Sequence, residues 1–301
     1  MQVPTNRFYD AAARNMGRLT SRADTLQVQI ATGKRLQAPS DDALAYRRLQ
    51  GLSQAKADDV VYGANLKLAG SVLAQADTVL GEINNQLQRV SELALRASNG
   101  TLNPGDRKVL GIELRDIAES LVQLVNSTDG RGLPLFGDAE GGPAAVLQPD
   151  GTYLLADEAS SPAAMPVGDG QMIQANEPAG RMFGFEGADG EPTDIIATVV
   201  DLAVLLEAGE EVTEELKTDL AGALDRTETA QASLGARAAR IDMLSAQMQV
   251  TATNREDARS GLEDADITET VTELQKTMTV LQATQASFAK LSSLSLFDYL
   301  R

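Results

Sequence analysis

The chain contains no cysteine, no histidine and no tryptophan, and only 4% of its residues are aromatic. Without cysteine there are no disulfides, thiol nucleophiles or thiolate metal sites. Without histidine the commonest general base and the commonest metal ligand are both missing. Basic residues are also scarce: 26 Lys and Arg stand against 43 Asp and Glu, a net charge of −17. A field of that sign repels nucleic acid and anionic membranes, and it keeps a free subunit soluble. No long apolar run is present. The most apolar window, Ile195 to Leu206, is interrupted by Asp201 and is shorter than the ~20 residues needed to span a bilayer. The opening Met1-Gln2-Val3-Pro4-Thr5-Asn6 lacks the charged start and apolar block of a cleaved leader. That leaves a cytosolic protein or one exported without a cleaved peptide.

Catalytic patterns are missing as well. There is no G-x-S-x-G elbow, no G-x-G-x-x-G, and no phosphate-binding G-x-x-x-x-G-K-[ST], since Gly33-Lys34 is followed by Arg35. Asp189-Gly190-Glu191-Pro192-Thr193-Asp194 has calcium-loop residue types but no partner carboxylate at the required spacing, so it reads as a solvated loop. Glu210-Glu211 and Glu214-Glu215 read as a solvated helix entrance. The expectation is a non-enzyme with no catalytic, cofactor-binding or metal residues.

What is present is helical rhythm, in a chain whose 43% hydrophobic residues are mostly Ala, Leu, Val and Ile. Met16, Leu19, Ala23, Leu26 and Ile30 are spaced 3-4-3-4, one seam of a coiled-coil-like helix that Gly33 should close. After the loop Gln37-Ala38-Pro39, Ser40 or Asp41 is expected to cap a second helix, with Asp42 in its first turn. That helix runs from Ala43 to about Ser98 with a soft spot near Asp58-Asp59 and Tyr62-Gly63. Beyond it Leu73, Ala76, Leu80, Ile83, Leu87, Val90, Ala94 and Ala97 keep the spacing without a break. Asn103-Pro104-Gly105-Asp106 starts a third helix, striped by Leu110, Leu114, Ile117, Leu121 and Leu124, with Asp129-Gly130 expected to close it.

From Gly130 to Pro192 the chain is rich in Gly, Pro and Asp. Ala145 to Leu147, Thr152 to Leu155 and Met172-Ile173 read as short strands, and Pro149-Asp150-Gly151 as a hairpin turn. Helix resumes from Asp194 to Glu207, and again from a Thr213 cap to about Thr253. An acidic joint spans Leu262 to Ile267. The last segment places Ile267, Val271, Leu274, Met278 and Leu281 at 4-3-4-3 spacing, with Phe288 continuing. The predicted fold is therefore mainly α: a long antiparallel helical bundle or coiled coil from both termini, with a small central β-rich insert. Residues 1–42 and 265–301 form a terminal coiled-coil assembly domain, 43–132 and 194–264 a helical bundle, and 133–193 the outer insert. Neither narrow-seamed end can be stable alone in water, so the two must pair with each other or with other molecules.

The ends also carry a resemblance. Asn6-Arg7-Phe8-Tyr9, Gln29 to Arg35, and Ala38-Pro39-Ser40-Asp41-Asp42 resemble the amino-terminal signature of the flagellin superfamily. Leu95 to Leu102 with Asp106-Arg107, and Asn126 to Gly130 with Leu135-Phe136-Gly137, are similar to the family's central helices. Glu263-Asp264-Ala265-Asp266-Ile267 and Ser293 to Leu300 are similar to its carboxy terminus. Ala43 departs from the proline often found after the double Asp. The Pro-Ser-Asp-Asp form, and the Phe297-Asp298-Tyr299 near the close, resemble the family's hook–filament junction members more than filament flagellin.

The resemblance covers about 1–137 and 194–301. It implies a junction subunit of the bacterial flagellum that assembles through its terminal helices and on which the filament grows. It implies export unfolded through the flagellar type III channel to the cell exterior. The implied partners are further copies in a ring, hook-associated protein 1, flagellin and a cytosolic export chaperone. The expected assembly interface is Met16, Leu19, Leu26, Ile30, Val271, Leu274, Met278, Leu281, Phe288 and Leu296. The family signature comprises Pro39, Ser40, Asp41, Asp42, Asp264 and Asp266. Filament flagellin is the alternative, and a surface-adhesin or glycan-binding role for the insert is a second, though Tyr153, Phe183 and Phe185 offer few rings for sugar stacking.

Overall fold

The structure is a computed structural model that describes the backbone of residues 3–100, 102–149 and 151–299, and the side chains among them other than 3–6, 8 and 291–299. The chain divides into two compact units, residues 1–57 with 251–301, and residues 58–250.

The first unit holds α1 (Val3–Thr32) and α7 (Ile267–Tyr299), together with the start of α2 (Ala43–Ala97) and the end of α6 (Glu214–Glu263). Gly33 ends α1 at φ +70, a left-handed conformation that favours glycine. The cap of α2 differs from expectation. Asp42, not Ser40 or Asp41, accepts the free amides of Leu44 and Ala45, each at 3.0 Å. Asp41 instead folds the loop before it. The predicted soft spot at Asp58-Asp59 is unbroken helix, and it coincides with the boundary between the units.

The second unit is built on the uninterrupted stripe of α2. Leu73, Leu80, Ile83, Leu87 and Val90 are all buried, and pack with Leu114 and Leu121 of α3 (Pro104–Val125) and with α5 (Ile195–Glu207). Asn103 caps α3 by accepting from Asp106 N at 2.9 Å, with Pro104 at the first position. The helix ends at Val125, four residues before the expected Asp129-Gly130. Asp129 instead closes the following turn, accepting from Arg131 N and Leu133 N. Helices α3 and α5 cross closely at Gly111, where a Cβ would lie 2.7 Å from Glu207 N. Beside this crossing Arg115 grips Glu207 through two bonds of 2.6 and 2.7 Å.

The central segment of this unit contains three antiparallel two-stranded hairpins: β1 (Ala145–Leu147) with β2 (Tyr153–Leu155), β3 (Met165–Gly168) with β4 (Gln171–Ile173), and β5 (Gly184–Glu186) with β6 (Pro192–Asp194). The short helix α4 (Ala179–Phe183) lies between the last two hairpins in sequence. The hairpins are fastened to the helices. Asn126 bonds both the N–H and the C=O of Ala145, and Phe136 meets Phe183 edge to face at 5.1 Å. Helix α6 continues ten residues past the expected end at Thr253.

Candidate assembly interface

Helices α1 and α7 pair antiparallel. Arg22 reaches Glu273 at 2.7 Å, and Tyr9 meets Phe288 edge to face at 5.4 Å. On α1 the structure turns inward the row read from the sequence: Ala23 and Leu26 are buried, and Met16, Leu19 and Ile30 are half-buried. On α7 the inward row is shifted. Thr270, Thr277 and Leu281 are buried, and Leu274, Thr284 and Phe288 are half-buried. These six residues follow a 4-3-4-3-4 spacing that shares only Leu274, Leu281 and Phe288 with the expected stripe. Val271 is half-buried, whereas Ile267 at 43% and Met278 at 37% exposure lie outward. Leu296 lies outside the described side chains.

Threonine suits this seam because its hydroxyl can be satisfied within the helix while its methyl packs outward. Thr270 donates to Asp266 O at 2.6 Å, and Thr284 to Val280 O at 2.7 Å. The signal that could have found the row was there to read: Thr270, Thr277 and Thr284 recur every seven residues.

The signature residues meet at the base of this pair, where the loop after α1 joins the loop before α7. Backbone bonds run from Arg35 N to Glu263 O at 2.7 Å and from Ala265 N to Gly33 O at 2.9 Å, and Arg35 Nη2 donates to Leu262 O at 2.8 Å. Pro39, Ser40, Asp41, Asp264 and Asp266 are exposed, and Asp42 is half-buried. The acids serve the turns. Asp41 accepts from Gln37 N and Ala38 N, and these backbone bonds hold its carboxyl below the usual range. Asp266 caps α7 by accepting from Thr268 N and Glu269 N at 2.9 and 3.1 Å. Asp264 accepts from Ser260 Oγ, and its backbone bridges to Lys34.

An ionic network that the sequence reading did not find runs beneath this clasp. Lys34 pairs with Glu263, Glu263 with Arg259, Arg259 with Glu256 at 2.6 Å, and Glu256 with Lys56 at 3.3 Å. Hydrogen bonds from Arg259 and then Lys56 hold the Glu256 carboxyl down to about 2, and Lys34 lowers that of Glu263. Among the described residues no cluster of carboxylates is arranged to hold a metal ion, and no helix is long and apolar enough to cross a membrane. In the insert, Phe183 is buried and Phe185 is half-buried beside Gly222 of α6.

The arrangement defines a class: a helical protein whose two chain ends pair as a coiled coil around a clasped base, with a small β-hairpin insert at mid-chain. Two family descriptions match the ends of this chain, the bacterial flagellin N-terminal helical region over residues 3–140 and the bacterial flagellin C-terminal helical region over residues 218–300. The chain belongs to the flagellin superfamily. It is 27% identical to flagellar hook-associated protein 3 of Salmonella typhimurium over 99% of both chains. Phase 1 flagellin of Salmonella naestved is 28% identical over only 44% of this chain and 26% of its own length. The crystal structure of the flagellar junction protein FlgL from Legionella pneumophila superposes with a TM-score of 0.59 at 14% identity, covering 72% of this chain and all of that one. The match along the whole length is thus to the hook-associated branch, and this is a structural component of the bacterial flagellum.

Proposed function

We propose that the chain is the hook–filament junction subunit of its flagellum. Copies form a ring on hook-associated protein 1, and flagellin adds to the ring's far side. The full-length likeness to hook-associated protein 3 supports this, set against a likeness to flagellin that covers less than half of the chain.

The single structural observation that carries the reading is the thin burial of the paired ends. Along α1 and α7 only Ala23, Leu26 and Leu281 are buried apolar residues among those described. A fully buried large side chain contributes roughly 1.5–3 kcal/mol, while ordering a residue's backbone costs about 1–2 kcal/mol. So few buried residues cannot order two helices of 30 and 33 residues unaided. Neighbouring copies complete the burial, with 1–42 and 265–301 as the assembly domain. The 43–132 and 194–264 segments form the supporting bundle, and 133–193 the outward insert. Met16, Leu19, Leu26, Ile30, Val271, Leu274, Met278, Leu281, Phe288 and Leu296 supply the contacts.

The subunit acts outside the cell. It reaches its place unfolded through the flagellar type III channel, after release from a cytosolic chaperone. No catalytic step belongs to it. Deleting the gene is expected to leave cells with hooks that shed flagellin into the medium. Filaments of normal length on such cells would overturn the reading.

A further inference from the structure

Pairing with α1 consumes one face of α7 and leaves its neighbour uncovered. On that second face Ile267, Val271 and Met278 form a row about 16 Å long at 1.5 Å per residue. Ile267 is 43% and Met278 37% exposed. Elsewhere in the same unit, the start of α2 and the end of α6 leave an apolar groove between them. Gly51 and Leu52 line one wall, and Ala258, Gly261 and Leu262 the other. Leu44, at 57% exposure, extends the first wall by about two turns. A Cβ added at Gly51 or Gly261 would meet nothing within 4 Å, so the space above both glycines is open.

The ridge and the groove are both apolar, and within one chain the groove stays open. The ridge begins five residues after Leu262, across a single joint, and α7 then runs along α1. A second copy of the chain can bring them together. Charge favours the same partner. Arg47 and Arg48 are exposed on the groove's α2 side, and Asp264, Asp266 and Glu269 are exposed where the ridge begins. We infer that the Ile267–Val271–Met278 ridge of one copy seats in the Gly51–Gly261 groove of the next. This deepens the junction reading and rests on it. A contact between two different surfaces of identical chains is heterologous, and it propagates from copy to copy until the rotation closes a ring.

Two variants of the full chain test it. Gly51→Leu with Gly261→Leu fills the groove at positions where the monomer has room, and leucine favours helix over glycine. The expected result is unchanged helix content by circular dichroism and at least a tenfold loss of the protein from isolated flagella. Recovery at the unsubstituted level overturns the inference. The second variant exploits the cysteine-free background. Gly51→Cys with Met278→Cys is expected to give a ladder of covalent multimers when assembled flagella are mildly oxidised, and neither single variant should do so. Assembled material without a ladder overturns the contact even if the leucine chain proves unstable. Both results are read against the unsubstituted chain. Its own absence from isolated flagella would instead remove the junction reading and leave the ridge and groove without a purpose.

Discussion

Glu256 and Glu263 each face two cations, Glu256 with Arg259 and Lys56, and Glu263 with Lys34 and Arg259. Their lowered pKa has a definite consequence for stability against pH. A carboxylate whose acidity is strengthened by folding stabilises the folded state wherever it is ionised, and that contribution disappears as pH falls through its folded pKa. For Glu256 the window runs from the ordinary 4.5 down to about 2. Glu256→Gln is therefore expected to lower the thermal midpoint of the chain by a constant amount above pH ~5. The difference should shrink on acidification and vanish near the lower limit, as followed by circular dichroism melts across the range. A difference that stayed constant to the lowest pH would mean that the pairing with Arg259 and Lys56 contributes nothing. The side chains of Glu256 and Lys56 are exposed, so added salt should reduce the same difference.

At the scale of the element, α7 separates two jobs that one apolar stripe had seemed to share. Leu274 and Leu281 lie on the seam with α1, and Met278 lies outside it. Leu274→Asp with Leu281→Asp is expected to keep the α1–α7 pair from forming on assembly while leaving the second unit intact. The melting of the purified chain should match that of the unsubstituted one, and the chain should be lost from flagella. Recovery in flagella at the unsubstituted level would show that Leu274 and Leu281 do not lie on the seam.

The displaced row explains what the sequence could and could not reveal. Helices built on large aliphatic residues were legible from spacing alone, as along Leu80, Ile83, Leu87 and Val90, and so was the Asn103-Pro104 start. The α7 seam was misplaced because threonine counts as polar on any hydropathy scale, although Thr270 and Thr277 are buried. The last ten residues of α6 were invisible for a related reason. Asn254 to Glu263 is held by ion pairs of Arg259, Glu256 and Glu263 and carries no apolar stripe. Hairpin β5–β6 and strand β3 are no shorter than the strands that were read, but Pro166, Gly168, Gly184 and Pro192 stand inside them and make them resemble loop.

Charge is distributed unevenly over the whole molecule. Residues 58–250 carry thirty-one Asp and Glu against twelve Lys and Arg, whereas 1–57 with 251–301 carry twelve against fourteen. The surplus of acid is thus confined to the second unit, and the unit that pairs the chain ends is close to balance. Copies brought together through their terminal helices gain apolar contact there, while their second units repel at any separation within a Debye length. That length shrinks from about 30 Å at 0.01 M salt to about 8 Å at 0.15 M. Self-association of the purified chain, measured by sedimentation velocity, should therefore strengthen as salt rises over this range. The attraction of Arg47 and Arg48 of one copy for Asp264, Asp266 and Glu269 of the next acts in the reverse direction, but it is set against a net charge of −19 on every second unit. Neutralising exposed acids of the second unit, Glu210→Gln with Glu215→Gln and Glu228→Gln, should move the onset of association to lower salt without changing the melting of the chain by more than about 1 kcal/mol. Association that weakened with salt, or an onset indifferent to the three substitutions, would place the controlling charges at the ends of the chain. The acidity of the second unit would then concern solubility alone.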